Sequence, residues 1–157
     1  MVAYEWRKNG EPLDSAGEVL SSDFKKGDTI SLTAVPSDGK QKGTPVMVVT
    51  HIFNSAPVIT STIKDSKMID KVFTYQVKAE DPDNDTLAYT LLGYPDGMTI
   101  DPKTGLIKWA APSGFKGKTN VMVSVSDVAG GEAKQIFSIQ INQEANQEQK
   151  QTEQKQK

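Results

Sequence analysis

Apolar and polar residues alternate with a period of two along most of the chain. Phe73, Tyr75, Val77 and Ala79 alternate with Thr74, Gln76, Lys78 and Glu80, which predicts a strand with one buried face. Leu87, Tyr89 and Leu91 repeat the pattern after the turn Asp81-Pro82-Asp83-Asn84-Asp85. Met98 and Ile100 make a short piece closed by Asp101-Pro102-Lys103-Thr104-Gly105, and Ile107 and Trp109 flank Lys108. Val121, Val123 and Val125 alternate with Met122, Ser124 and Ser126 before the turn Ala129-Gly130-Gly131. Phe137, Ile139 and Ile141 close the series. With Val58-Ile59 these make about seven short strands at the spacing of a β-sandwich. No segment in this half carries a helical stripe, so the prediction is all-β.

Residues 1–53 read the same way but look incomplete. Tyr4 and Trp6 alternate, and Asn9-Gly10 is a strong tight-turn signal. Gly27-Asp28 leads into Ile30, Leu32 and Ala34, and Asp38-Gly39 turns the chain toward Val46-Met47-Val48-Val49 and on to Ile52-Phe53. That is four or five strands where an immunoglobulin-type sandwich needs about seven. One sheet edge and one core face are expected to stay open, which favours either a homodimer through the N-terminal sheet edge or a loosely ordered first half. From 142 to 157 the chain is Gln-, Glu- and Lys-rich with Ala145 its one apolar residue. Such a segment cannot bury enough surface to offset ordering, and it is expected to be disordered. The domain reading is therefore a partial unit at 1–53, a sandwich at 54–141 and a disordered tail at 142–157.

Composition narrows the chemistry. Eighteen basic against twenty acidic residues leave a net charge of -2, without the basic face that nucleic acid requires. No apolar run approaches the roughly 20 residues of a membrane span. Met1-Val2-Ala3-Tyr4-Glu5-Trp6 lacks the pattern of a secretory signal, so the protein either stays inside or is an internal piece of something longer. The absence of cysteine excludes disulfides, thiolate metal sites and cysteine nucleophiles. A single histidine, His51, leaves no histidine-based metal site. It lies on an apparent strand and reads as a surface or packing residue. Paired-carboxylate hydrolysis needs a cleft, whereas small sandwiches offer turns on convex ends, so the protein is read as no enzyme.

The acidic cluster Asp81, Asp83, Asp85 is the one chemically pointed feature, preceded by Glu80. Hard cations such as Ca²⁺ take six to eight oxygen ligands, which closely spaced carboxylates on a loop suit. Asp, Asn and Pro are equally the favoured turn formers without a metal, and both readings stand. The stretch does not match an EF-hand loop, lacking its glycine and its closing glutamate. Trp109 and Trp6 alternate with core positions, which favours burial over stacking on sugar rings. Tyr94, in Gly93-Tyr94-Pro95-Asp96-Gly97, is the better candidate for an exposed aromatic contact.

The stretch Asn54-Ser55-Ala56-Pro57-Val58-Ile59 resembles the linker that opens cadherin-like and immunoglobulin-like repeats of bacterial surface proteins. Residues 54–141 resemble the dystroglycan-type cadherin-like repeat, an Ig-like domain, nearly end to end. The matching pieces are Phe73-Thr74-Tyr75-Gln76-Val77, Asp81-Pro82-Asp83-Asn84-Asp85-Thr86-Leu87, Pro95-Asp96-Gly97-Met98-Thr99-Ile100-Asp101, Thr104-Gly105-Leu106-Ile107-Lys108-Trp109 and Val123-Ser124-Val125-Ser126-Asp127. In the front half, Trp6, Asn9-Gly10, Phe24-Lys25-Lys26-Gly27-Asp28 and Pro36-Ser37-Asp38-Gly39 are similar to the back part of another such repeat.

The resemblance implies a Greek-key immunoglobulin/cadherin-like β-sandwich preceded by an incomplete one. It implies calcium as cofactor, with Asp127 brought beside Glu80, Asp81, Asp83 and Asp85. It also implies a non-catalytic adhesion or spacer module of a repetitive protein, extracellular or on a cell surface, with a protein or cell-surface glycan as partner. The alternative is an accessory carbohydrate-binding module of a secreted polysaccharide-active protein. Such a module should show two or three aromatics on one sheet face, and 7% aromatic content in largely core-alternating positions argues against it.

Overall fold

The computed structural model describes residues 1–141 and divides into two compact units, Met1–Ser55 and one that opens at Ala56. The expectation of a disordered tail at 142–157 lies outside the described residues.

The first unit is one antiparallel sheet of β1 (Val2–Lys8), β2 (Glu11–Pro12), β3 (Thr29–Pro36) and β4 (Val46–His51), in the order β2-β1-β3-β4. Asn9 (φ 53°) and Gly10 (φ 89°) both take the left-handed backbone that a tight two-residue hairpin requires. Register places Tyr4 beside Ala34 and Trp6 beside Leu32, and then Leu32 beside Val48 and Ala34 beside Val46. These residues share one sheet face. Trp6 donates from its indole Nε1 to Gly17 O at 2.9 Å, and Tyr4 donates to the Glu18 carboxylate at 3.3 Å. The irregular stretch between β2 and β3 thus lies over part of that face. Trp6, expected in a core, is half-buried, because this stretch and not a second sheet covers it. Val46 and Val48 remain 61% and 59% exposed.

A polar knot secures the opposite end of β1. The Asp28 carboxylate accepts hydrogen bonds from the Lys25 N–H and Asn9 Nδ2, each at 2.8 Å, and pairs with Lys8 Nζ at 2.9 Å. Asn9 Oδ1 in turn accepts the Thr29 N–H. Those contacts, the Lys25 amide first and then the Asn9 amide and Lys8, pull the Asp28 pKa down from 3.8 to about 2.

The second unit is a β-sandwich. Its strands are β5 (Val58–Ile59), β6 (Lys67–Ile69), β7 (Val72–Gln76), β8 (Ala79–Glu80), β9 (Leu87–Gly93), β10 (Met98–Ile100), β11 (Leu106–Ala110), β12 (Gly117–Asp127) and β13 (Glu132–Ile141). One sheet runs β10-β11-β7-β6 and the other β13-β12-β9, while β5 pairs with β8. Period-two alternation aims Phe73, Tyr75, Ile107 and Trp109 inward from the first sheet. Val121, Val123, Val125, Phe137 and Ile139 meet them from the second. Trp109 is 1% exposed, donates to Asp96 O at 3.0 Å and meets the Phe115 ring edge-on at 5.1 Å.

Two details depart from the expected strands. The apolar series from Phe73 to Ala79 is split between two partners: Val77 still donates its N–H to Gly105 O, in register with the β7–β11 pairing, and Ala79–Glu80 then pairs with β5. The short β6 has no alternation at all. It is an edge strand whose three residues are all exposed, so burial left no pattern in its sequence.

Candidate metal site

The candidate site sits where a loop and a strand end are forced together. Asp127 is the last residue of β12, and register pairs it with Leu87, the first residue of β9. The loop Asp81–Asp85 ends two residues before Leu87, so the ladder itself delivers Asp127 to the loop. One carboxylate oxygen from each of Asp81, Asp85 and Asp127 falls within 4.8 Å of the others.

Local turn chemistry fixes two of these side chains. Asp81 Oδ1 accepts the N–H of Asp83 at 2.8 Å and of Asp85 at 3.2 Å, and the Asn84 N–H closes on Asp81 O. Asn84 takes a left-handed backbone, φ 59°, which asparagine tolerates. Asp127 Oδ1 accepts the N–H groups of Ala129 and Gly131, both at 2.8 Å, and Asp127 is only 8% exposed. Turn chemistry therefore accounts for one oxygen of Asp81. It leaves Oδ2, which is buried and meets no hydrogen-bond donor among the described residues.

A buried carboxylate oxygen without a donor is costly. Two further carboxylates beside it add repulsion unless a cation or a proton is shared among them. The donor set is all oxygen, the preference of hard cations, and Asp81, Asp85 and Asp127 are the residues that would hold one. Of the five residues singled out in the sequence, these three converge. Asp83 lies in the same loop outside the convergent group, and Glu80 is exposed at the end of β8. The pairing of Asp127 with Leu87 carries no local sequence signal, since it depends on how β9 and β12 meet.

The other candidates fall elsewhere. Trp109 is fully buried and cannot stack on a sugar. Tyr94 is 53% exposed on its loop. His51 is exposed in the first unit, with Nδ1 3.0 Å from the Thr29 hydroxyl and its ring edge-on to Phe53.

An all-β sandwich with Ig-like strand order and an acidic loop at one end defines an immunoglobulin-like module. The family model described as "Putative Ig domain" matches residues 56–142, more than half of the chain, and the chain belongs to that family. No curated protein gives a sequence match. Among solved structures, human protocadherin-24 EC1-2 is 24% identical over 57% of this chain and 44% of its own, with a TM-score of 0.44. Drosophila N-cadherin EC1-4 is 15% identical over 88% of this chain and 41% of its own, with a TM-score of 0.48. Chicken VE-cadherin EC1-2 is 16% identical over 90% and 84%, at 0.41. The chain spans less than half the length of the first two structures. Among the described residues, no helix is long and apolar enough to cross a membrane.

Proposed function

We propose that the chain is a non-catalytic extracellular adhesion or spacer module from a repetitive cell-surface protein. In this reading residues 54–141 are one complete repeat and residues 1–53 are the back part of another. Its partner is a protein or cell-surface glycan, and the first unit self-associates through its sheet edge. The loop at 81–85 and the end of β12 bind one calcium ion. That ion stiffens the end of the sandwich that carries the β8–β9 and β12–β13 turns.

The observation that supports calcium is the buried, donor-free Oδ2 of Asp81 beside Asp85 and Asp127. An ion there supplies the positive partner that the oxygen lacks, and waters would complete a shell of six to eight oxygens. The carbohydrate-module alternative has weaker support, because Trp109 is internal and Tyr94 stands alone on its loop.

The test is a melt of the second unit's transition with and without calcium, on the wild type and on Asp81→Asn. Extracellular calcium modules bind at about 10⁻⁴–10⁻³ M. At 10 mM calcium, mass action then gives about 1.4–2.7 kcal/mol of stabilisation. The substituted side-chain amide would keep the Oδ1 acceptor and hence the turn, but it would place an NH₂ donor where Oδ2 stood. The variant should lose the calcium-dependent rise while melting no lower than wild type in chelator. A wild-type melt indifferent to calcium would leave turn formation as the role of these aspartates.

A further inference from the structure

Asn9 is the one asparagine of the chain that a glycine follows. Such a pair is the most open to intramolecular loss of the side-chain amide, because Gly10 has no Cβ to shield its backbone nitrogen. That nitrogen attacks Asn9 Cγ and a C–N bond forms. The Cγ–Nδ2 bond breaks, and ammonia leaves with the proton of the Gly10 N–H. Water then opens the five-membered imide at either carbonyl, which yields aspartate or isoaspartate. Asn9 and Gly10 are both exposed, and a Cβ built on Gly10 would meet nothing within 4 Å. Neither bulk nor burial protects the pair.

The hydrogen bonds of the amide do. Asn9 Nδ2 donates to Asp28 Oδ1 and Asn9 Oδ1 accepts the Thr29 N–H, each at 2.8 Å. The Asn9 N–H donates to Thr29 O, also at 2.8 Å. These bonds tie the side chain across the sheet to the start of β3 and not along its own turn. For Cγ to swing onto the Gly10 nitrogen, both side-chain bonds must break, one of them to an ionised carboxylate. That carboxylate is itself buried and fixed, by the Lys25 N–H at 2.8 Å and by Lys8 Nζ at 2.9 Å.

We propose that Asn9 is a latent deamidation site, kept unreactive by its bond to Asp28, and that its conversion loosens the first sheet for good. Aspartate at position 9 sets a carboxylate against the Asp28 carboxylate where a donor stood, and like charges at that range repel. Isoaspartate adds a methylene to the backbone of a two-residue turn that must close the Lys8–Glu11 pair. Either product lacks the donor that held the side chain away from Gly10, so refolding does not restore the original state. The pair survives only while the sheet is folded, and the sheet keeps its strength only while the pair survives.

The experiment is peptide mapping by mass spectrometry after incubating the full chain in warm, mildly alkaline buffer. It compares wild type, Asp28→Ala and Lys8→Met, with wild type in urea as the unprotected reference. Lys8→Met weakens the same knot but keeps the Asn9–Asp28 bond, and exchange of the β1 and β3 amides monitors the sheet in each. Folded wild type and Lys8→Met should deamidate at Asn9 about tenfold or more slowly than the chain in urea, and Asp28→Ala should approach the urea rate. If Asp28→Ala loses the sheet, Asp28→Asn replaces it: a neutral acceptor there should give an intermediate rate, still above that of Lys8→Met. Asn9→Asp, the product made directly, should exchange its β1 and β3 amides faster than wild type. Equal rates in folded and unfolded wild type, or equal acceleration in the Asp28 variant and Lys8→Met, would overturn the protection by Asp28. An Asn9→Asp sheet as protected as wild type would overturn the loosening.

Discussion

Removing one hydroxyl from the centre of the sandwich should cost more than its size suggests. Tyr75 is fully buried, and its hydroxyl donates to Gln135 Oε1 at 2.8 Å and lies 2.9 Å from the Ser61 hydroxyl. Gln135 Nε2 donates to Ser61 O at 2.8 Å, and Ser61 Oγ accepts the Lys78 N–H at 2.9 Å. The network joins β7, β13 and the segment after β5. Tyr75→Phe keeps the ring, including its edge-on contact with Phe137 at 5.3 Å, so little packing changes. Ser61 Oγ keeps the Lys78 N–H and Gln135 Nε2 keeps Ser61 O, but Gln135 Oε1 is left without its donor. An acceptor stranded in this way costs about 1–3 kcal/mol. For a domain of this size that is a fall in melting temperature of very roughly 4–20 °C. The assay is urea denaturation followed by Trp109 fluorescence in a Trp6→Phe background, so that the second unit alone reports. Adding Gln135→Leu closes a double-mutant cycle, and the coupling between the two positions should be on the order of 1 kcal/mol. A Tyr75→Phe variant as stable as its background, with no coupling, would refute the claim that this network ties β7 to β13.

Gly105→Ala should destabilise the second unit by about 2–4 kcal/mol, combining backbone strain with overpacking. Gly105 has φ +74°, and a Cβ there would sit 2.7 Å from Val77 O and 2.8 Å from the Tyr89 ring. Equal melts of Gly105→Ala and wild type would show that the β10–β11 turn can shift away at no cost. In the first unit, the Asp28 pKa is lowered from 3.8 to about 2, chiefly by the Lys25 N–H. A lowered carboxylate stabilises the fold above its unfolded value and loses that contribution as pH falls from about 4 to about 2. Hydrogen exchange of β1 and β3 should accelerate across that window in wild type and show no such step in Asp28→Asn; a step of equal size in both would place the titration elsewhere.

Most of the strands were legible because a half-buried strand writes its burial into the sequence. Phe73 and Tyr75, Ile107 and Trp109, and Val121 to Val125 face inward as their alternation requires, since one face meets the opposing sheet and the other meets water. Where burial was missing, so was the signal. The wholly exposed β6 is silent, and the apolar run of β4 does not say which of its faces or edges is covered.

The acidic loop was visible as a cluster of carboxylates, and its turn chemistry followed from Asp, Pro and Asn alone. Two things were decided only by tertiary structure. The register of β9 against β12 brought Asp127 from a distant strand to the loop that already holds Asp81 and Asp85. Closure of the sandwich buried Asp81 Oδ2 without giving it a donor. Both follow from long-range pairing. A strand's side-chain period is a local property, whereas which strand end meets which loop depends on the register of segments about 40 residues apart, and that is set by the packing of the whole core.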